Sequence, residues 1–260
     1  MNTFPVVAAL TGFMICLWLA SLWIKNTSIV DMFWGMLFVG LAWGYVYTSP
    51  IATPRGFLIA FLVSLWGLRL SWHLAKRNGW QHEDHRYVAM RQRHGKHWPW
   101  LSLFVVFFLQ GLIALIVALP IYSASNIAAS WNIYDAIGLL LFIVGLLFEI
   151  IADHQLKVFK HDPQNRGLTM KTGLWRYSRH PNYFGDALLW WGLFLLGGAA
   201  TGAWWNIISP ILMTFLLMQV SGVPLTEQRM KKTRPDFSDY AACTSSFFPW
   251  FPKSQSKNEK

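Results

Sequence analysis

The sequence predicts an all-α integral membrane protein of about seven transmembrane helices, with its N-terminus outside and its C-terminus in the cytoplasm. Three observations carry that fold class. Of 260 residues, 54% are apolar and only 13% are charged, where soluble domains carry roughly 25% charged residues. Apolar runs recur at about the 20-residue length needed to cross a hydrocarbon core ~30 Å thick. Lysine and arginine, finally, gather on alternate connections between those runs.

Seven stretches qualify, at residues 4–24, 29–49, 56–76, 100–122, 133–152, 183–203 and 205–223. The first has no basic residue before it and no small-residue cleavage site after it, so it reads as a retained helix rather than a signal peptide. The second carries Asp31 near its start and the third Arg69 near its end. The fourth follows a long basic loop, and the fifth runs into Glu149 and Asp153. The sixth opens with "WRYSRHPNYFGD" (175–186). "GGAATGAWW" (197–205) parts it from the seventh by a tight small-residue turn, which leaves a re-entrant pair open. None of these runs alternates as a barrel strand would. Small residues in "GLLLFIVG" (138–145) suit close helix packing, and tryptophans such as Trp34, Trp43, Trp66 and Trp190 read as packing rather than as a substrate box.

Residues 76–97, 153–182 and the tail from 224 hold six, six and seven basic side chains, nineteen of the 22 in the chain. Seven spans place all three segments on one side, which is the positive-inside asymmetry. The net charge of +10 therefore reads as cytoplasmic loops of an inner-membrane protein, not as a nucleic-acid surface. Cys16 and Cys243 imply neither a disulfide framework nor a thiolate metal site. Residues 1–252 form one membrane domain, and the Lys/Ser/Asn-rich 253–260 is expected to be disordered.

A charge inside the bilayer costs about 2.5–3.5 kcal/mol on insertion scales, so intramembrane ionisable residues mark candidate sites. Asp31, Arg69, Glu149, Asp153 and Asp186 all fall in the cytoplasmic third of their spans. They describe a polar cavity open to the cytoplasm. Two cytoplasmic segments face it, 75–98 ("AKRNGWQHEDHRYVAMRQRHGKHW") and 153–186. Both interleave Arg and Lys, which grip phosphate oxygens, with aromatic rings, Asn and Asp. Pro181 suits the first turn of a helix, whose N-terminus favours an anion, and Asn182 and Asp186 then share one face. These parts suit a dinucleotide held by side chains, since no glycine-rich phosphate loop is present.

"RHPNYFGD" (179–186) resembles the arginine-histidine-proline-x-tyrosine signature of membrane sterol and steroid reductases. "FSDYAACTSSFFPWFP" (237–252) resembles the ending of the steroid 5α-reductase C-terminal domain, and the similarity, closest to an uncharacterised bacterial branch, spans roughly residues 60–252. The resemblance implies NADPH-dependent reduction of a carbon–carbon double bond conjugated to a carbonyl. It assigns cofactor contacts to Arg69, Arg77 and Asn78, to Asp153, Lys157 and Lys160, and to Asn182, Asp186 and Tyr240. Arg176, Arg179, His180 and Tyr183 join them from the signature stretch, and Asp84, Arg86 and Tyr87 of "HEDHRY" (82–87) would close over the nucleotide beside Glu83. NADPH rather than NADH follows from the resemblance and from abundant arginine for a 2′-phosphate.

Two departures touch the substrate carbonyl. The steroid-reducing members carry a Gln-Glu pair in the second helix, where this chain has "SIVDMFWG" (28–35), and a tyrosine in the third, where it has "SLWGLRLSW" (64–72). Asp31 is then the expected acid, protonated by desolvation and donating to the enolate as hydride arrives. The expected partners are a hydrophobic, lipid- or steroid-like molecule and the bilayer; oligomeric state stays open.

Three other readings compete. Membrane methyltransferases of the isoprenylcysteine and phospholipid type share the signature start, bind S-adenosylmethionine and usually follow with paired glutamates; here "PLTEQRMKKTRPDF" (224–237) offers Glu227 beside Gln228. His82–His85 and His94–His97 are H-x-x-H pairs that suit iron or zinc chemistry, but read better as part of a basic polar loop, with no metal bound. A lipid-binding scaffold without turnover is the third.

Overall fold

Helices make up every long element of the computed structural model, which describes residues 3–78 and 83–253; no strand occurs among them. His82, the side chain of Asn78 and the tail 254–260 lie outside the described residues. Six helical segments are long and apolar enough to cross a membrane: Phe4–Trp23, Pro54–Arg77, His85–Val117, Ile133–His161, Pro181–Thr201 and Trp204–Thr233. The chain packs as two units, residues 1–132 with 196–209, and residues 133–195 with 210–260.

In the first unit α1 (Phe4–Trp23) is followed by the one-turn α2 (Ile29–Met32), α3 (Trp34–Thr48) and α4 (Pro54–Asn78). The expected second span is thus two pieces, because the chain leaves helical geometry at Phe33. Its longer piece, 15 residues, is shorter than the ~17–25 that span a bilayer alone. It packs tightly on α4: a Cβ on Gly35 would lie 2.2 Å from the Gly67 carbonyl oxygen, so only glycine allows this approach. Beyond α4 the loop and the fourth span are continuous in a way the sequence reading does not anticipate. α5 (His85–His94), a 3₁₀ turn, α6 (Trp98–Ser102), a π-helical turn (Leu103–Phe108) and α7 (Leu109–Val117) follow one another without an intervening loop. α8 (Leu119–Asn126) closes the unit.

In the second unit α9 (Ile133–His161) crosses α10 (Pro181–Gly197). Both glycines of "GLLLFIVG" lie at that crossing. A Cβ on Gly185 would come within 2.5 Å of the Gly145 carbonyl oxygen, and one on Gly192 within 2.6 Å of Gly138's. α11 (Ile208–Phe215), a second π-helical turn (Leu216–Val220), α12 (Val223–Thr233) and α13 (Phe237–Cys243) complete the chain. Trp66 and Trp190 are fully buried, as packing residues should be.

Candidate functional site

The first unit gathers its charges around Asp31. Glu83 accepts from the Thr27 amide (2.7 Å) and from Arg91 (2.8 Å), and the Asp84 amide donates to the Ser28 hydroxyl (2.6 Å). Asp84 also caps α5, accepting from the Arg86 amide at 2.9 Å. Burial alone would raise both carboxyls. Hydrogen bonds from Arg91 and Thr27 to Glu83, and from Arg86 to Asp84, outweigh it and hold both below the usual carboxylate range.

Anchored in this way, the first turn of α5 turns two side chains onto Asp31. Arg86 reaches Oδ2 at 3.0 Å, and the Tyr87 hydroxyl reaches Oδ1 at 2.9 Å. The Gln110 amide, on α7, lies 3.4 Å from both Asp31 Oδ1 and the Tyr87 oxygen. Gln110 lies two residues past the end of the π-helical turn, a deviation often found at functional positions. Tyr87 is buried, whereas the Asp31 and Arg86 side chains keep 23% and 30% exposure, enough for a ligand to reach them.

Asp31 thus meets three side chains, Arg86, Tyr87 and Gln110, and the Tyr87 hydroxyl is a second O–H group at the same place, on the helix that follows "SLWGLRLSW". Arg86 and Tyr87, expected with Asp84 to close over the nucleotide, assemble with Asp31, and Asp84 binds Arg86. Of the other residues expected here, Arg69 is half-buried on α4 and Arg77 is exposed at its end.

The second unit presents two clusters. The α9–α10 crossing puts buried Glu149 and Asp153 on one helix and half-buried Asn182 and Asp186 on the other. Asn182 Nδ2 donates to Asp153 Oδ1 at 3.1 Å, while its Oδ1 is buried and meets no donor. Lys157, Lys160 and Arg176 are exposed.

The other cluster is a clamp. Arg179 donates through Nε and Nη2 to Glu227 Oε1, both at 2.8 Å, and through Nη1 to the carbonyls of Ala241 (2.9 Å) and Thr244 (2.5 Å). His180 Nε2 lies 3.3 Å from the same Glu227 oxygen, and its ring stacks on Tyr183 at 5.3 Å. Burial holds the His180 imidazole below its ordinary range, despite the glutamate beside it. Tyr183 reaches Thr226 at 3.3 Å. Tyr240 is buried with its hydroxyl donating to the Trp175 carbonyl, and Ser178 donates to the Phe247 carbonyl at 2.7 Å.

Arg179 and Tyr240, expected at the cofactor, therefore hold the 175–180 turn to the C-terminal segment. Sequence reasoning left Glu227 and Gln110 out of the site. Gln110 had a visible signal, as the sole amide in the run 100–122. Among the described residues, which leave out His82, no three of His, Cys, Asp and Glu come together as a metal site, and His85 sits 3.4 Å from Asp84.

Comparison with known proteins adds three findings. The chain is 29% identical to an uncharacterised protein of Schizosaccharomyces pombe, over 95% of its own length and 80% of that protein's. It is 40% identical to a probable O-methyltransferase of Ustilaginoidea virens over 67 residues, 26% of this chain and 24% of that one. No solved structure matches. The model of a family described as "Protein of unknown function (DUF1295)" matches residues 17–244, and the chain belongs to that family.

Proposed function

We propose that this protein is a membrane oxidoreductase that uses NADPH to reduce a carbon–carbon double bond conjugated to a carbonyl in a hydrophobic, lipid- or steroid-like molecule. The observation that carries the reading is the Tyr87 hydroxyl held 2.9 Å from Asp31, with Arg86 and Gln110 completing the cluster. Reduction of an enone builds negative charge on the carbonyl oxygen, and a positioned O–H donor is what that oxygen requires. The hydroxyl hydrogen rotates to suit its acceptor, so Tyr87 can turn from Asp31 to a substrate carbonyl. Arg86 and Gln110 still hold Asp31 as it does so.

Asn182 supports the choice of cofactor. Its buried, unpaired Oδ1 fits the N–H of a carboxamide such as nicotinamide's, and Asp153 fixes the orientation of its amide. Lys157, Lys160 and Arg176 are exposed cations suited to phosphate. When bound, NADPH supplies the hydride; Tyr87 supplies the hydrogen bond at oxygen. Membership of a family that includes steroid 5α-reductase-like membrane proteins is consistent with the reading.

The test uses detergent-purified protein and a panel of lipid enones, following loss of reduced nicotinamide absorbance. Tyr87→Phe is expected to lower turnover by about 10²–10⁴-fold, the usual worth of a positioned acid, with NADPH affinity unchanged. Asn182→Ala should weaken NADPH binding. Turnover that survives Tyr87→Phe rejects the assignment.

A second reading is favoured by one arrangement: Arg179 and His180 both converge on Glu227, the glutamate that the methyltransferase pattern calls for. A local match to a probable O-methyltransferase points the same way. Tight S-adenosylmethionine binding without NADPH binding would establish it.

A further inference from the structure

Gln110 sits in the Asp31 cluster with only half of its amide engaged. Its Nε2 faces Asp31 Oδ1 and the Tyr87 oxygen, each at 3.4 Å. That contact fixes which end of the amide points where, because the reverse orientation would set two acceptors against each other. Its Oε1 is buried and meets no hydrogen-bond donor. A buried acceptor left unsatisfied carries a desolvation penalty, and each such group in a folded protein calls for an explanation. Asp31, which the same amide touches, and Arg86 beyond it are partly exposed. The amide is set there by the π-helical turn Leu103–Phe108, which ends two residues before it.

Resting on the function proposed above, we infer that Gln110 is a specificity-determining residue whose Oε1 accepts a hydrogen bond from a hydroxyl that the substrate carries close to its conjugated carbonyl. A carbonyl oxygen receiving the Tyr87 O–H lies one hydrogen bond from an atom that Gln110 already touches. The donor that satisfies Oε1 must then stand on the carbon next to the carbonyl or one further along. The preferred substrate class is a lipid hydroxy-enone. A simple enone offers nothing to this oxygen and leaves it unpaired, and sites built to bond a substrate O–H discriminate strongly against the analogue that lacks it.

The test is equilibrium binding, followed by tryptophan fluorescence, of two probes to the intact protein loaded with the oxidised cofactor, NADP+, in detergent, so that neither probe is turned over. One is a long-chain alkyl cyclohexenone and the other its α′-hydroxy derivative. Wild type should bind the hydroxylated probe at least about tenfold more tightly. Gln110→Met, which keeps the length but removes the acceptor, should lose that preference and bind the two probes with a ratio near one. Equal affinity of wild type for the two probes overturns the inference and leaves the reductase reading in place. Loss of affinity for both probes by the same factor in the variant assigns Gln110 a merely structural role, and also overturns it. Failure of wild type to bind either probe overturns both the inference and the reading beneath it. The wild-type affinity ratio decides the matter even if the variant does not fold.

Discussion

The Asp31 cluster of the first unit and the Glu227 clamp of the second are built from the same kinds of side chain, yet they do opposite things with them. Asp31 gathers an arginine, a tyrosine and an amide from two other helices, and it and Arg86 keep 23% and 30% exposure. Glu227 gathers an arginine and a histidine from one turn, exposed by 14%, 12% and 2% respectively, and Arg179's remaining bonds go to main-chain carbonyls. Buried ion pairs add little net stability but are costly to break. The clamp therefore reads as a staple for the 175–180 turn. The Asp31 cluster, with an unsatisfied acceptor and an accessible edge, reads as a place for a ligand.

The largest effect should come from breaking the clamp. Arg179→Ala leaves Glu227 without its guanidinium and frees two carbonyls, so a loss of about 3–5 kcal/mol is expected, seen as a fall in the thermal midpoint in detergent. A midpoint within the error of wild type would mean that the clamp holds nothing.

Tyr87→Phe sharpens the contrast from the other side. It removes one hydrogen bond to a partly exposed carboxylate, for a stability cost of about 0.5–1.5 kcal/mol, while turnover collapses. A variant that loses stability as Arg179→Ala does would place both clusters in the same structural class.

The smallest effect is a pH effect in the second unit. Burial would raise the Asp236 carboxyl, but hydrogen bonds from Lys171 and Thr169 and the lysine charge together outweigh it and bring it down to about 2. A depressed carboxyl contributes stability above its unfolded value, near 3.8, and loses it as pH falls toward the folded value. Wild type should therefore be more stable than Asp236→Asn at neutral pH, by under about 1 kcal/mol for so exposed a pair. The difference should vanish between pH 3.8 and about 2. A gap that persists at the acid end would assign Asp236 a role other than its charge.

Much of this was legible in the sequence. Long apolar runs locate the helices that begin at Phe4, Pro54, Ile133 and Pro181, because length and composition alone decide them. The break at Phe33 was not legible, since nothing there interrupts hydropathy. The continuity of α5 with the fourth span was hidden by its composition: "HRYVAMRQRH" is as polar as a loop, and its helicity rests on the Asp84 cap and on anchoring to residues 25–31. Asp31 stood out as a carboxylate in a greasy run. Its partners did not, because Tyr87 is 56 residues away and Gln110 is 79, and pairing at that distance is a product of packing. Arg179 is the converse case, a conspicuous cation in a signature stretch whose observed bonds go to the protein's own carbonyls and glutamate.

The most direct test of the account is equilibrium binding of NADPH and of S-adenosylmethionine to the purified wild-type protein, each measured by titration in detergent. The account predicts saturable NADPH binding that Asn182→Ala weakens, and none of S-adenosylmethionine; saturable S-adenosylmethionine binding with no affinity for NADPH would contradict it.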